Sequence, residues 1–215
     1  MPAIAVGQGF PAPETTADEL RRPFRIAFAG TSTATIETLR ILANLIADGS
    51  LSQERRVELH LYIPAGYLED LRAEGIVFHE WLPEAELRQA LSAADLLFLP
   101  YSFMGNLDHV TSRSFPAKTA DYLACGKPIL LMAPASAAVV RYARENGFAA
   151  IIDQPDSAAL RDTILRLIQD SADRARLARN ARAVFLENHD IARQRESVYH
   201  RIAELSQTRS GSRRS

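Results

Sequence analysis

A complete helix-to-strand unit occupies residues 116–132, which read Pro116-Ala117-Lys118-Thr119-Ala120-Asp121-Tyr122-Leu123-Ala124-Cys125-Gly126-Lys127-Pro128-Ile129-Leu130-Leu131-Met132. Proline is favoured in the first turn of a helix, so Pro116 predicts a helix start. Gly126 predicts the helix end, because glycine readily adopts the left-handed conformation that closes a helix. The unbroken apolar run 129–132 is typical of a strand that is buried on both faces of a parallel sheet.

The same alternation extends from this unit in both directions. Short apolar runs predict five further strands, and amphipathic segments between them predict helices. The six predicted strands are 24–29, 57–63, 76–81, 96–99, 129–132 and 148–152. The predicted helices are 33–48, 67–73, 84–93, 116–124, 137–145, 158–169, 171–188 and 191–206.

Six strands that alternate with helices predict a parallel sheet covered on both faces. Right-handed crossovers make this an α/β, doubly wound, Rossmann-like sheet, here with extra C-terminal helices. Such sheets bind ligands beyond the carboxyl ends of their strands. We therefore expect the site in the loops after Ala29, Ile63, Trp81, Leu99 and Met132.

Composition limits the function. The 215 residues carry a formal charge of -1 and are 47% hydrophobic, which suits one globular domain and gives no support for nucleic-acid binding. No apolar run of about 18 residues predicts a membrane span, and no basic start followed by an apolar block predicts a signal peptide. The single cysteine, Cys125, excludes an internal disulfide and indicates a cytoplasmic chain.

The histidines are dispersed in the sequence. Four stand alone, and His189 lies beside Asp190 without a second ligand at metal spacing; the four are His60, His79, His109 and His200. The sequence therefore predicts no zinc site.

The first candidate site follows the first strand. Gly30 permits a tight turn, and the hydroxyls of Thr31, Ser32 and Thr33, with the N–H groups of the following helix, can hold a phosphate. The segment lacks the glycine spacing of a dinucleotide site and the lysine of a Walker loop. The alternative is an ordinary strand-to-helix turn with Thr33 as the N-cap.

The second candidate site is the start of the helix at Pro116. The N–H groups of Ala117, Lys118 and Thr119 point out of its first turn, and the Lys118 charge suits a diphosphate. Asp121 lies about one turn further on, so it can face the same ligand and bind ribose hydroxyls. The alternative is a solvated Lys–Asp pair, which contributes little.

Residues 114–130 resemble the (S)xPSKxxEYLAxGKPVL segment of GT-B glycosyltransferases of the family 4 type. Residues 24–30 resemble the strand that opens the donor domain in that family. Segments 78–100 and 146–167 resemble later parts of the same domain, in the same order. The likeness extends over about 4–188, close to the whole chain.

This resemblance implies one half of a GT-B fold, the carboxyl-terminal half that binds a nucleotide-diphosphate sugar. In the family an amino-terminal half mostly holds the acceptor, and residues 5–10 resemble the linker between the halves. The resemblance thus divides the chain into a linker-like segment at 1–22, a donor-binding domain at 23–190, a C-terminal helix at 191–207 and a disordered tail at 208–215.

The resemblance also implies roles for individual residues, although it identifies no catalytic residue, metal or cofactor besides the donor. The residues expected at the donor diphosphate are Gly30, Thr31, Ser32, Thr33, Arg113, Ala117, Lys118 and Thr119. Asp121 is expected at the ribose. Those expected near the sugar are Ser114, Phe115 and Pro116, and those near the base are Ile63, Trp81 and Leu82. For Trp81 the alternative is an aromatic residue of the core or of an interface.

Two departures separate the chain from the family pattern. Family members have two glutamates eight positions apart; Asp121 stands at the second position and Arg113 at the first. The arginine and lysine that often follow the first strand are absent between Gly30 and Thr38. Lys118, Arg113 and the helix start would then have to neutralise the two phosphates.

Two functions from different classes remain. The first is the donor half of a retaining glycosyltransferase in polysaccharide or glycolipid biosynthesis. It would use a UDP- or GDP-sugar without a metal, and it would need an acceptor domain or subunit for activity. The second is a degenerate, non-catalytic donor-type domain, the partner subunit of a split glycosyltransferase, as the change at Arg113 suggests. The turn after the first strand lacks the glycine spacing of a dinucleotide site, which argues against a dehydrogenase. The first strand also ends without the acidic residues that a receiver domain needs for phosphorylation, which argues against that class.

Arginines dominate the last helices, and we interpret them as a solvated face. The alternatives are docking to an acceptor half and peripheral attachment to anionic lipid at the inner face of a membrane. The arginines concerned are Arg174, Arg176, Arg179, Arg182, Arg193, Arg195 and Arg201.

Overall fold

Six short apolar runs form one parallel sheet with the strand order β3-β2-β1-β4-β5-β6. The computed structural model describes residues 22–30, 35–52, 55–64, 68–80, 82–104 and 117–190. The strands are β1 (Phe24–Ala29), β2 (Val57–Tyr62), β3 (Ile76–His79), β4 (Leu96–Pro100), β5 (Ile129–Met132) and β6 (Ala149–Ile152). The C-terminal helix expected at 191–207, the tail expected at 208–215 and all but Arg22 of the linker-like segment expected at 1–22 lie outside the described residues.

Six α-helices in the described part of the chain connect and cover the strands. They are α1 (Ile36–Ala47), α2 (Glu84–Ser92), α3 (Ala117–Cys125), α4 (Ala138–Asn146), α5 (Ser157–Gln169) and α6 (Ser171–Asn188). A 3-10 turn at Glu69–Leu71 precedes β3. Among the helices described, none has both the length and the apolar character needed to cross a membrane.

Each face of the sheet buries its own apolar cluster, because successive strand residues point to opposite faces. On one face, Ile26 and Leu59 pack with apolar residues of α1 and α5. On the other, Leu97 and Leu131 pack with residues of α2, α3 and α4. Helix α6 contributes to both clusters. The predicted α/β, doubly wound fold is therefore confirmed.

The strand order reverses at β1. Beginning at β1, the chain first builds outward through β2 to β3 and then returns to the other side of β1 with β4. Loops leaving the carboxyl ends on the two sides of this point diverge, and the gap between them is where open α/β sheets bind ligands.

Some predicted boundaries differ from the structure. The first helix begins at Ile36, with Thr35 rather than Thr33 at its N-cap. The helix predicted at 67–73 is only a 3-10 turn, since Leu68 has a left-handed φ of 59°, which an α-helix does not accommodate. Strand β3 ends at His79, before Trp81.

Two histidines that are distant in the sequence meet in the fold. His60 and His79 lie side by side on β2 and β3, with a ring nitrogen of each 2.9 Å apart. Parallel pairing joins segments that are distant along the chain, so sequence spacing did not predict this contact.

Three of the C-terminal arginines make side-chain contacts. Arg174 is partly buried, which contradicts its interpretation as part of a solvated face, whereas Arg176 and Arg182 are exposed. Arg174 donates to the carbonyls of Leu167 and, at 2.8 Å, Ile168 at the end of α5. Arg182 donates to the Ala124 carbonyl near the end of α3 at 3.0 Å. The last carbonyls of a helix lack intrahelical donors, so these arginines satisfy them.

Arg176, the third, is held in an ion pair. Its Nε donates to an Asp173 carboxylate oxygen at 3.0 Å, one turn away on α6. Arg166 of α5 donates to the same carboxylate, so Asp173 joins the two helices.

Candidate functional site

A cavity of about 220 Å³ opens at the carboxyl end of β1, on the side covered by α2 and α3. Its lining combines charged groups, aromatic rings and aliphatic side chains. The lining residues are Ala29, Gly30, Tyr62, Glu84, Leu87, Arg88, Leu91, Lys118, Asp121, Tyr122 and Cys125. Its place beside the reversal of strand order agrees with the location expected for a ligand site.

Helix α3 brings four of these residues to the cavity. Lys118, Asp121, Tyr122 and Cys125 are spaced at intervals of three or four, so they share one face of the helix. Thr119, between them, turns to the other side and is fully buried. The two charged residues predicted on this helix therefore face the same cavity.

The side chain of Lys118 ends against Gly30. A Cβ atom added to Gly30 would lie 1.8 Å from the Lys118 Nζ, so the absence of a side chain at Gly30 leaves the room that the ammonium occupies. Gly30 has a φ of 146° and donates its N–H to the Tyr62 carbonyl at 3.2 Å. The ammonium also lies 4.9 Å from the centre of the Phe28 ring. Burial lowers the pKa of Lys118.

The mouth of the cavity carries charges of both signs. Arg88 donates to the Glu84 carboxylate at 2.7 Å along the surface of α2. Partial burial raises the pKa of Asp121, and Arg88 opposes that shift while Glu84 adds to it. Asp121 is exposed, so its carboxylate is available to ligand hydroxyls.

The inner wall is aromatic and apolar. The Tyr122 hydroxyl accepts a hydrogen bond from the Ala29 N–H at 3.0 Å, and burial raises the pKa of Tyr122. Tyr62 contributes a second ring from the end of β2. Cys125 is partly exposed and lines the wall, and desolvation raises the pKa of its thiol. These surfaces suit the flat, apolar parts of a ligand.

The predicted site residues fall into three groups. Gly30, Lys118 and Asp121 meet at the cavity, and Ala117 is the first residue of α3. Thr119 is fully buried, which contradicts its predicted contact with the diphosphate. Ile63 is 2% exposed and belongs to the core, while Leu82 packs against the cluster on the cavity side. The remaining predicted site residues lie outside the described part of the chain: Thr31, Ser32, Thr33, Trp81, Arg113, Ser114, Phe115 and Pro116.

Several lining residues were missed by the sequence analysis. At the end of β2 it selected Ile63, but alternation along the chain turns Ile63 into the core and Tyr62 toward the cavity. The contributions of Glu84 and Arg88 could not be foreseen, because they depend on how α2 packs beside α3. No group of three or more histidine, cysteine, aspartate or glutamate side chains able to hold a metal ion occurs in the described ranges.

Several solved glycosyltransferases share this fold. The lipopolysaccharide glycosyltransferase WaaG matches with a TM-score of 0.58 and 15% identity, over 81% of this chain and 45% of that one. HepE from Anabaena, solved with UDP-glucose, matches with a TM-score of 0.60 and 16% identity, over 85% and 49%. Sucrose-phosphate synthase from Thermosynechococcus elongatus matches with a TM-score of 0.59 and 17% identity, over 85% and 46%.

The chain spans about half the length of these solved structures. At such low identity the similarity establishes the fold alone, a Rossmann-like unit of the GT-B type. No curated protein matches the sequence.

Family membership follows from a direct match to the sequence. Residues 23–170, more than half of the chain, match the family described as glycosyl transferases group 1. The matched range contains all six strands and both charged residues of the cavity wall on α3. The chain therefore belongs to the glycosyl transferases group 1 family.

Proposed function

We propose that the cavity binds the nucleoside diphosphate part of a nucleotide sugar, and that the chain is the donor-binding half of a retaining glycosyltransferase. The observation that carries this proposal is that Lys118 and Asp121 line one cavity at the carboxyl end of β1, beside Gly30. A cation and a carboxylate one helical turn apart can serve two adjacent parts of one ligand, the diphosphate and the ribose.

The diphosphate would lie against Lys118 and the first turn of α3. The Lys118 ammonium is partly desolvated, as the direction of its pKa shift indicates, so a phosphate oxygen would supply the charged partner that burial makes favourable. The N–H groups in the first turn of α3, which have no acceptor within the helix, would add donors. Arg113, Thr31, Ser32 and Thr33 complete the diphosphate contacts in the proposal.

The ribose and base would occupy the rest of the cavity. Asp121 is exposed at the mouth and would accept hydrogen bonds from ribose hydroxyls. The Tyr62 ring and the aliphatic parts of α2 would cover the base. Leu82 and Trp81 stay in the proposal as neighbours of the base.

Sugar transfer would depend on stabilising the leaving diphosphate. A positioned cation and helix N–H groups stabilise negative charge as it develops, without reorganisation at the moment of reaction. In the proposal Lys118, Arg113 and α3 fill that role, no bound metal is needed, and an acceptor domain or subunit closes the cleft. Nucleotide sugars are cytoplasmic metabolites, so we place the reaction there.

Calorimetric titration with UDP, GDP and their sugars tests donor binding. We expect dissociation constants in the millimolar range or tighter for at least one of them. Lys118→Met should weaken binding at least tenfold, whereas Lys127→Met, which changes the only other lysine in the chain, should leave it unchanged. A folded protein that binds none of these ligands would overturn the proposal.

The ribose contact has a separate test. Asp121→Asn should weaken binding of UDP or GDP, whichever is tighter, about tenfold. The same substitution should have little effect on the matching 2′,3′-dideoxynucleotide, which lacks the hydroxyls. Equal losses for both ligands would show that Asp121 acts on something other than the ribose.

The second candidate function is a non-catalytic partner subunit, which the arginine at 113 favours. The test is a transfer assay with a labelled nucleotide sugar and an added acceptor-type domain. Activity that appears only with Arg113→Glu would support the degenerate subunit. Activity of the unchanged chain with the acceptor domain would support the donor half.

A further inference from the structure

We propose that His60 and His79 form a chelating site for a borderline transition-metal ion such as Zn²⁺, Ni²⁺ or Cu²⁺. The Nδ1 atom of His60 and the Nε2 atom of His79 lie 2.9 Å apart on adjacent parallel strands. Neither histidine lines the cavity, although Tyr62, which does, also contacts His79.

The sheet itself holds the two rings together. In the β2–β3 register, His60 is paired with Val77 and Tyr62 with His79, so the two histidines are diagonal neighbours on one face. Their ring centres lie 5.0 Å apart and their planes are 21° apart, so the two rings meet edge to edge. The Tyr62 ring stacks on His79, at 4.3 Å and 10°, which limits rotation of that imidazole.

The short nitrogen–nitrogen distance defines what the pair can bind. At 2.9 Å one nitrogen must carry a proton and the other must accept it. When the donor ring changes tautomer, this proton moves to the remote nitrogen of the same ring, and both facing nitrogens can then bind a metal ion as neutral imidazole ligands. At Zn–N distances of about 2.0–2.1 Å in tetrahedral geometry, the two nitrogens would be about 3.3 Å apart. Small side-chain rotations supply that difference.

Glu58 places a carboxylate beside His60, as is common for histidines that bind metal ions. Its carboxylate lies 3.2 Å from the Nε2 atom of His60, the nitrogen that points away from His79. A carboxylate bound to the remote nitrogen of a ligating histidine orients the ring and raises its basicity. Arg56 lies 3.4 Å from Glu58, and Arg25 is the paired residue on β1, so the carboxylate also offsets nearby positive charge.

The pair would hold the ion from one side. His60 is partly buried, with 12% of its side chain exposed, and no third histidine, cysteine or acidic ligand joins the pair among the described residues. Water would fill the other coordination positions, as in open metal sites. Nitrogen ligands of this kind favour Zn²⁺, Ni²⁺ and Cu²⁺ over Mg²⁺ and Ca²⁺.

The experiment is titration of the untagged full chain with Ni²⁺ and Zn²⁺, followed by calorimetry, with Mg²⁺ as the negative control. We expect one site per chain. His60→Gln and His79→Gln should each weaken binding at least tenfold, and Glu58→Gln about tenfold. His189→Gln is the matched control, because His189 contacts Tyr142 far from the pair, and it should leave the affinity unchanged.

Electron paramagnetic resonance of the Cu²⁺ complex keeps the test independent of the variants' folding. Two equivalent imidazole nitrogens should split the signal of the unchanged protein. Coupling to one nitrogen only, or a site that survives removal of both His60 and His79, would overturn the proposal.

Discussion

The hydroxyl oxygen of Tyr122 accepts a hydrogen bond from the N–H of Ala29 at 3.0 Å, joining α3 to the last residue of β1. Tyr122 is 1% exposed, so this bond lies in the core. The helix that it anchors carries Lys118 and Asp121, and the strand end that it anchors leads directly into Gly30. One buried bond therefore sets the spacing between the two sides of the candidate site.

We expect Tyr122→Phe to destabilise the protein by about 1–3 kcal/mol, because it leaves the buried Ala29 N–H without a partner. Urea unfolding measures the loss. Tyr142→Phe is the comparison, since the Tyr142 hydroxyl bonds to the exposed Asn188 and water can replace it there. A loss for Tyr122→Phe no greater than that for Tyr142→Phe would contradict the assigned role of the buried bond.

Gly30→Ala tests whether nucleotide binding needs the space that Gly30 leaves for the Lys118 side chain. The new Cβ would meet the Lys118 Nζ and Cε atoms, so the ammonium must leave its position against β1. We expect weaker UDP or GDP binding, by about tenfold, if that ammonium contacts the diphosphate. Titration calorimetry of the folded variant measures the effect.

Gly49→Ala is the control for this substitution. Gly49 also has a positive φ, 78°, but a Cβ there meets nothing within 4 Å. It should cost about 1 kcal/mol of stability through strain alone and leave nucleotide binding unchanged. Equal binding losses for Gly30→Ala and Gly49→Ala would show that displacement of Lys118 is not the cause.

Lys118→Met should stabilise the ligand-free protein while it weakens nucleotide binding. Burial lowers the pKa of Lys118, which means that the folded state disfavours the charged ammonium relative to water. Methionine keeps an unbranched chain beside the Phe28 ring, one heavy atom shorter and without the charge. We expect the free energy of unfolding, measured by heat or urea, to rise by about 0.5–1 kcal/mol. Gains of this size are common when a residue needed for function is replaced by one that stabilises the fold.

Lys127→Met provides the reference for that gain. Lys127 lies outside the residues that line the cavity. If both lysine substitutions change the free energy of unfolding equally, the effect is a general one of removing positive charge and does not come from the cavity.

The strands were predictable because their signal is local. The runs 24–29 and 129–132 were predicted with the bounds that the structure has, since short, mainly apolar runs between turn residues leave little choice of strand length. The turn at Glu69–Leu71 was predicted as a longer helix. Its short extent follows from the left-handed Leu68, which carries no composition signal of its own.

The candidate site was predictable only where one helix carries it. Lys118 and Asp121 share a face by helical spacing alone, which sequence shows. The contributions of Tyr62 and Arg88 come from other elements, and the contact between His60 and His79 comes from strand pairing. Such contacts depend on tertiary packing, and local patterns do not contain that information.

The acid sensitivity of folding should depend on Asp95. Its carboxylate accepts bonds from Arg22 at 2.6 and 2.7 Å and from the Arg25 N–H at 2.9 Å. Burial alone would raise the pKa of Asp95, but these hydrogen bonds outweigh it and lower the pKa below its ordinary value of 3.8. The folded state then binds fewer protons than the unfolded chain as the pH falls below about 5.

The contribution of Asp95 is therefore complete above the unfolded-state pKa and is lost as the pH falls through the lower folded-state pKa. Asp95→Asn should cost about 1–2 kcal/mol at pH 7, and the difference from the unchanged protein should shrink between about pH 5 and pH 3. Urea unfolding across this range measures it. Asp153→Asn, which removes a more exposed pair with Arg144, should cost under about 1 kcal/mol. A pH-independent difference for Asp95→Asn would contradict this role of the titrating carboxylate, because the amide keeps its shape and does not titrate between pH 5 and pH 3.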